Sequence, residues 1–113
     1  MDKTRKYKEL VKKVLNRYLE IDRRQPEEGV EYFVIADDVQ GHYLWGSIGW
    51  SKGRRNRYTT AHLRVKDEKI WIEIDLTEEG IATDLLNEGV PTKDIVLAFH
   101  EPSMRQYTEF AVT

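Results

Sequence analysis

Three histidines, His42, His62 and His100, are the first residues whose chemistry invites attention. Converging imidazoles would make a zinc site, yet their separation is not a local ligand motif. His42 and His62 fall in two extended runs, so whether they share a face depends on strand register. The reading from spacing is structural. Asp75, Glu78 and Glu79 cluster after a strand, as carboxylates around Mg²⁺ do in nucleases. Helix capping and a solvated turn account for them more simply, and Glu73 and Asp75 merely share a strand face. Ser47, Ser51 and Ser103 lack the elbow and ordered base of a nucleophile. With no cysteine, disulfides, thiolate metal sites and thiol nucleophiles are excluded. Gly41, Gly46, Gly49 and Gly53 have neither the spacing nor the strand-to-helix context of a phosphate loop. The sequence therefore assigns no catalytic residue, no metal ligand and no cofactor.

The segment Ser51–Asn56 reads as a basic loop. Lys52, Arg54, Arg55 and Arg57 lie between Trp50 and Tyr58. Arginines hold phosphates while aromatic rings stack on bases. The same composition suits a solvated hairpin or a surface that meets an acidic protein. Trp45 and Trp71 fall on the more polar faces of their strands. Such a face is either covered by a helix or used as an interface, which favours self-association or a protein partner.

The elements that position these groups are legible from periodicity. Tyr7, Leu10, Val11, Val14, Leu15 and Tyr18 define one face of a helix over 4–21. Asp22 to Gln25 form a charged linker before Pro26 and Gly29. Residues 30–37 are extended, Asp37–Gly41 is a turn, and a second strand runs from His42 to about Trp50. Residues 57–65 alternate, with Thr59, Ala61, Leu63 and Val65 facing one way. After a tight turn at Asp67–Glu68, Ile70, Ile72 and Ile74 share a face opposite Trp71, Glu73 and Asp75. A four-stranded antiparallel meander is the economical topology. Thr77 caps a helix over about 78–88, with Glu78 and Glu79 in its first turn and Ile81, Leu85 and Leu86 inward. Gly89 ends it and Pro91 prevents continuation. Ile95 to Phe99 is a fifth strand, and the tail Arg105–Val112 is extended. The expectation is one α+β domain over 1–113. Its antiparallel four- to five-stranded sheet has an N-terminal helix and a second helix after the fourth strand.

Composition bounds the function. The 113 residues are 40% hydrophobic and 34% charged, with net charge −2. Asp2 to Arg24 carries nine Lys or Arg against four Asp or Glu, and the balance reverses between Asp67 and Glu88. Such a dipole steers a partner but is weaker than the signature of an autonomous DNA binder. The N-terminal run lacks a secretory signal and no stretch reaches bilayer length, so a cytoplasmic location is expected.

Several runs resemble the XisI family: Lys69–Asp75, then Thr77–Ala82, then Gly89–His100, and the ending Arg105–Val112. His42-Tyr43, Gly49-Trp50, Arg54-Arg55 and the N-terminal helix fit the same pattern, so the resemblance spans essentially the whole chain. Ala98, Glu101 and Ser103 depart from it, where Gly, Pro and a bulkier residue are expected. The family takes its name from a factor controlling excision of the fdxN element, a developmental DNA rearrangement in heterocyst-forming cyanobacteria. The resemblance implies an accessory role beside a recombinase and a nuclease-like companion, XisH, without recombinase chemistry in this chain and without transferable catalytic residues. Function is expected in protein–protein contact, as a homodimer or with an XisH-like protein, with DNA engaged indirectly. Direct DNA binding and a metal-dependent enzyme are the alternatives. The candidate binding residues are Trp50, Arg54, Arg55 and Arg57 at the loop, and His100, Arg105, Tyr107 and Glu109 near the tail.

Overall fold

A computed structural model describes residues 2–113. Helix α1 spans Thr4–Arg24, followed by strands β1 (Val30–Asp37), β2 (His42–Ser51), β3 (Arg54–Lys66) and β4 (Lys69–Asp75). Helix α2 (Ile81–Asn87), a 3-10 turn at Thr92–Asp94, strand β5 (Ile95–Leu97) and a 3-10 segment at Pro102–Tyr107 complete the order. The sheet runs β1-β2-β3-β4-β5. The first four strands form the expected antiparallel meander. β5 instead pairs parallel to β4, because the crossover through α2 returns the chain to the end of the sheet where β4 began.

Helix α1 extends through the segment read as a linker. Its Asp22 accepts a 2.7 Å hydrogen bond from the Trp45 indole, and Arg23 and Arg24 oppose the dipole at its C-terminus. Tyr7, Val11, Val14, Leu15 and Leu19 are buried along one stripe. Tyr7, Val11, Val14 and Leu15 pack on the sheet face formed by Tyr43, Trp45, Ala61, Leu63, Val65, Ile70 and Ile72, and Ile81 and Leu85 of α2 join this core with Val90 and Ile95.

Two bulges change which residues reach that core. Between β2 and β3 the register passes from Trp45↔Ala61 to Gly46↔Thr59, leaving Thr60 as the extra residue. Between β3 and β4 it passes from His62↔Ile74 to Leu63↔Ile72, leaving Glu73 extra. Paired residues share a face, so Thr59 is turned away from Ala61, contrary to simple alternation. Ile74 likewise leaves the face of Ile70 and Ile72 and stands 36% exposed. The same flip points Asp75 toward α2, where its carboxylate accepts the Ile81 amide at 2.7 Å and the Thr77 amide at 2.9 Å.

Asp75 thus does the capping expected of Thr77, which receives only the Gly80 amide. Gly80, at φ +88°, delays the helix to Ile81, so Glu78 and Glu79 precede it. Its end is as the sequence suggests. Gly89 at φ +94° donates to Leu86, and Val90 reaches back to Leu85 at 3.0 Å, closing a Schellman motif.

β5 stops at Leu97 because Ala98 and His100 turn back onto Val96 and Leu97. The tail is not extended throughout. Glu101 caps the 3-10 segment through the Ser103 amide, and Ala111 then bridges β5 through the Ile95 carbonyl at 2.9 Å. This segment covers Trp71 on the sheet face opposite the helices, with Val96 and Ala111 around it. Trp45 and Trp71 are therefore buried on opposite faces: Trp45 under α1, stacked 4.8 Å from Tyr18, and Trp71 under the tail.

Candidate interaction surface

The basic segment is a strand rather than a loop. Lys52 (φ +52°) and Gly53 (φ +77°) alone make the connection, a two-residue turn with both dihedrals positive that suits the twist of a hairpin. Arg54, Arg55 and Arg57 consequently belong to β3, paired with Ser51, Trp50 and Ile48. Alternation divides them. Arg55 and Arg57 share the outer face with Trp50, while Arg54 shares the opposite face with Asn56 and Tyr58. The Arg55 guanidinium lies 5.5 Å from the Trp50 ring centroid, and Trp50 is 60% exposed. Tyr58 is exposed as well, and an open depression there is lined by Glu27, Ser51, Lys52, Arg54, Arg55, Asn56 and Tyr58. Among the described residues none of the three arginines forms a salt bridge.

The tail residues form a separate group at the β5 edge. Arg105 donates to the carbonyls of His100 (3.1 Å), Ala98 (3.3 Å) and Val112 (3.3 Å), and its guanidinium lies 5.9 Å from the Trp71 ring. Its donors hold the tail closed. His100 stands exposed beside Phe99, with Tyr107 and Glu109 also open to solvent.

His42 and His62 do meet. Nδ1 of one and Nε2 of the other are 2.9 Å apart on the outer face. Burial, then His42, holds the His62 imidazole below its usual 6.5, with Glu73 opposing and Arg64 reinforcing. His100 is not part of this pair. Among the described residues no three His, Cys, Asp or Glu gather as a metal site.

Sequence reading missed the acidic groups that tie α1, α2 and the connecting turns to one another. Tyr43 donates to Asp38 at 2.7 Å, Tyr7 to Asp94 and Tyr18 to Asp84. Burial, then the paired carboxylate, raises all three phenols well above their usual range. Lys12 joins Asp38 at 2.8 Å, and Arg17 and Lys13 join Glu88 at 2.8 and 3.1 Å. The basic bias of α1 thus meets acidic turns of the same molecule. Amphipathic tyrosines at the rim of an apolar stripe were the available signal.

Fold and surface together define a small α+β protein whose sheet is helix-covered on one face and carries an open aromatic–arginine hairpin. The model of the family described as XisI protein matches residues 1–112, and the chain belongs to that family. A solved XisI-like protein from Anabaena variabilis ATCC 29413 is 39% identical, covering 97% of this chain and 99% of that one, with a TM-score of 0.91. The fdxN element excision controlling factor XisI from Anabaena variabilis ATCC 29413 is 33% identical over 99% of this chain and 100% of its own, with a TM-score of 0.84. No curated protein sequence gives a significant match. No helix among the described residues is long and apolar enough to cross a membrane.

Proposed function

We propose that this protein is a non-enzymatic accessory factor that works in the cytoplasm by protein–protein interaction, beside a DNA-processing partner. The observation that carries the reading is the open hairpin. Exposed Trp50 and Tyr58 stand beside arginines that form no salt bridge among the described residues. Family membership supports a regulatory role, and the relative from Anabaena variabilis is called an excision controlling factor. The partner in this reading is an XisH-like protein, and alone the chain forms a homodimer. Its outer sheet face, where Ile35, Ile74 and Leu76 are exposed, offers apolar area for that contact. Trp50, Arg54, Arg55 and Arg57 are the contact residues at the hairpin; His100, Arg105, Tyr107 and Glu109 are those at the tail.

The test is co-expression with an XisH-like protein, followed by mass and stoichiometry of the eluted species at low and high salt. A complex of fixed stoichiometry at both salts is expected. Recovery of nucleic acid alone, lost at high salt and on neutralising Arg54 and Arg55, overturns it in favour of direct DNA binding.

A further inference from the structure

β3 is longer than the strand beside it. It pairs with β2 along Arg54–Arg64, but with β4 only from Ala61 onward. Past the Thr60 bulge, where the Leu76 amide makes the last bond to the Thr60 carbonyl, the edge from Arg54 to Tyr58 has no neighbouring strand among the described residues. The hairpin fixes which groups face that gap. Ser51 and Arg54 flank a two-residue turn and form a hydrogen-bonded pair, so Asn56 and Tyr58 also bond to β2. The Tyr58 carbonyl indeed points at β2, where a Cβ added to Gly46 would lie 2.4 Å from it. The amides and carbonyls of Arg55 and Arg57 therefore point outward, with no hydrogen-bond partner among the described residues.

We infer that this free edge of β3 accepts an extended acidic segment of a protein partner as an additional strand. Main-chain bonds to Arg55 and Arg57 supply the docking, as in other strand additions. The side chains supply the selection. Carboxylates at alternate positions of the incoming strand lie opposite Arg55 and Arg57 on the outer face. The intervening residues lie opposite Asn56 and Tyr58, where apolar or β-branched side chains fit against the exposed phenol. Glu27 is the one acidic group lining the same depression, which Arg54 and Arg55 also line, and among the described residues it forms no salt bridge with either. A second copy of this chain is disfavoured as occupant. Two-fold pairing of β3 with itself would set the arginines of one copy against the same arginines of the other. The charges that guard the edge against self-pairing thus define the partner that can use it.

The inference rests on the accessory reading only for the natural source of the segment. Amide hydrogen exchange of the full chain tests the edge itself, with a blocked peptide of alternating glutamate and valine as probe. Selective slowing of the Arg55 and Arg57 amides is expected. Binding should weaken at least about tenfold for a lysine-for-glutamate peptide, and about as much for Arg55→Glu with Arg57→Glu, which should in turn prefer the lysine peptide. A peptide of equal charge with proline at the alternate positions should not bind comparably. Equal binding of that proline peptide, or binding without amide protection, overturns strand addition. Tighter binding of a duplex DNA oligonucleotide through the same arginines overturns the protein partner. Protection by the peptide without any XisH-like complex leaves the edge standing and removes the accessory reading. A stable complex in which both amides stay unprotected does the reverse.

Discussion

The His42–His62 contact requires one ring nitrogen to donate and the other to accept, so at least one imidazole must be neutral. His62 is held below 6.5 by burial and by His42, which means the fold favours its neutral form. A histidine with a depressed folded value contributes stability above its unfolded value, and that contribution is lost as pH falls below about 6.5 toward the folded value. Wild-type protein should therefore lose stability as pH falls below about 6.5, where urea denaturation would register a falling midpoint. His62→Gln should be less stable at pH 7 yet show a flatter profile across that window. An unchanged slope in the variant would place the acid sensitivity elsewhere.

At the scale of elements, several joints are hydrogen bonds from an aromatic side chain to a carboxylate. The last turn of α1 is the clearest case. Without Asp22, the buried Trp45 indole loses its partner, and the helix end loses its tie to β2. Asp22→Ala should cost about 1–3 kcal/mol, the usual penalty for leaving a buried donor unpaired. Chemical denaturation measures the loss, and a weakened near-ultraviolet circular dichroism signal should report loosening of the Trp45–Tyr18 stack. Asp22→Asn, which keeps an acceptor, should recover much of the loss. The two bulges belong to this scale as well. Thr60 ends the pairing with β4 and frees the hairpin edge, and Glu73 turns Asp75 toward the amide that starts α2.

For the whole molecule, the sheet is asymmetric. α1 and α2 cover one face, while only the tail covers part of the other. Arg105 fastens that cover through carbonyls on both sides of the 3-10 segment. Arg105→Ala should release the tail without unfolding the main core. The Ala111 amide, bonded to Ile95, should then exchange much faster while the Leu63 and Ile72 amides keep their protection. Uniform loss across the sheet would show instead that the tail is integral to global stability. The half-covered sheet with its overhanging hairpin leaves Ile35, Trp50 and Ile74 of this small chain open to solvent.

Periodicity in the sequence determined α1, the meander and α2 with its Gly89 terminus, because local patterning of apolar residues dictates which face each element must bury. The family resemblance was also readable in linked motifs along the chain. Tertiary structure alone decided the parallel pairing of β5, since three residues carry too little pattern to specify a neighbour. It alone decided the faces of Thr59, Ile74 and Asp75, because a bulge inserts one residue and inverts an alternation that is otherwise unbroken in sequence. The meeting of His42 with His62, the opposite burial of Trp45 and Trp71, and the open edge beside Arg55 and Arg57 follow from strand register and strand length. Those are set by pairing between distant segments, which no local spacing records.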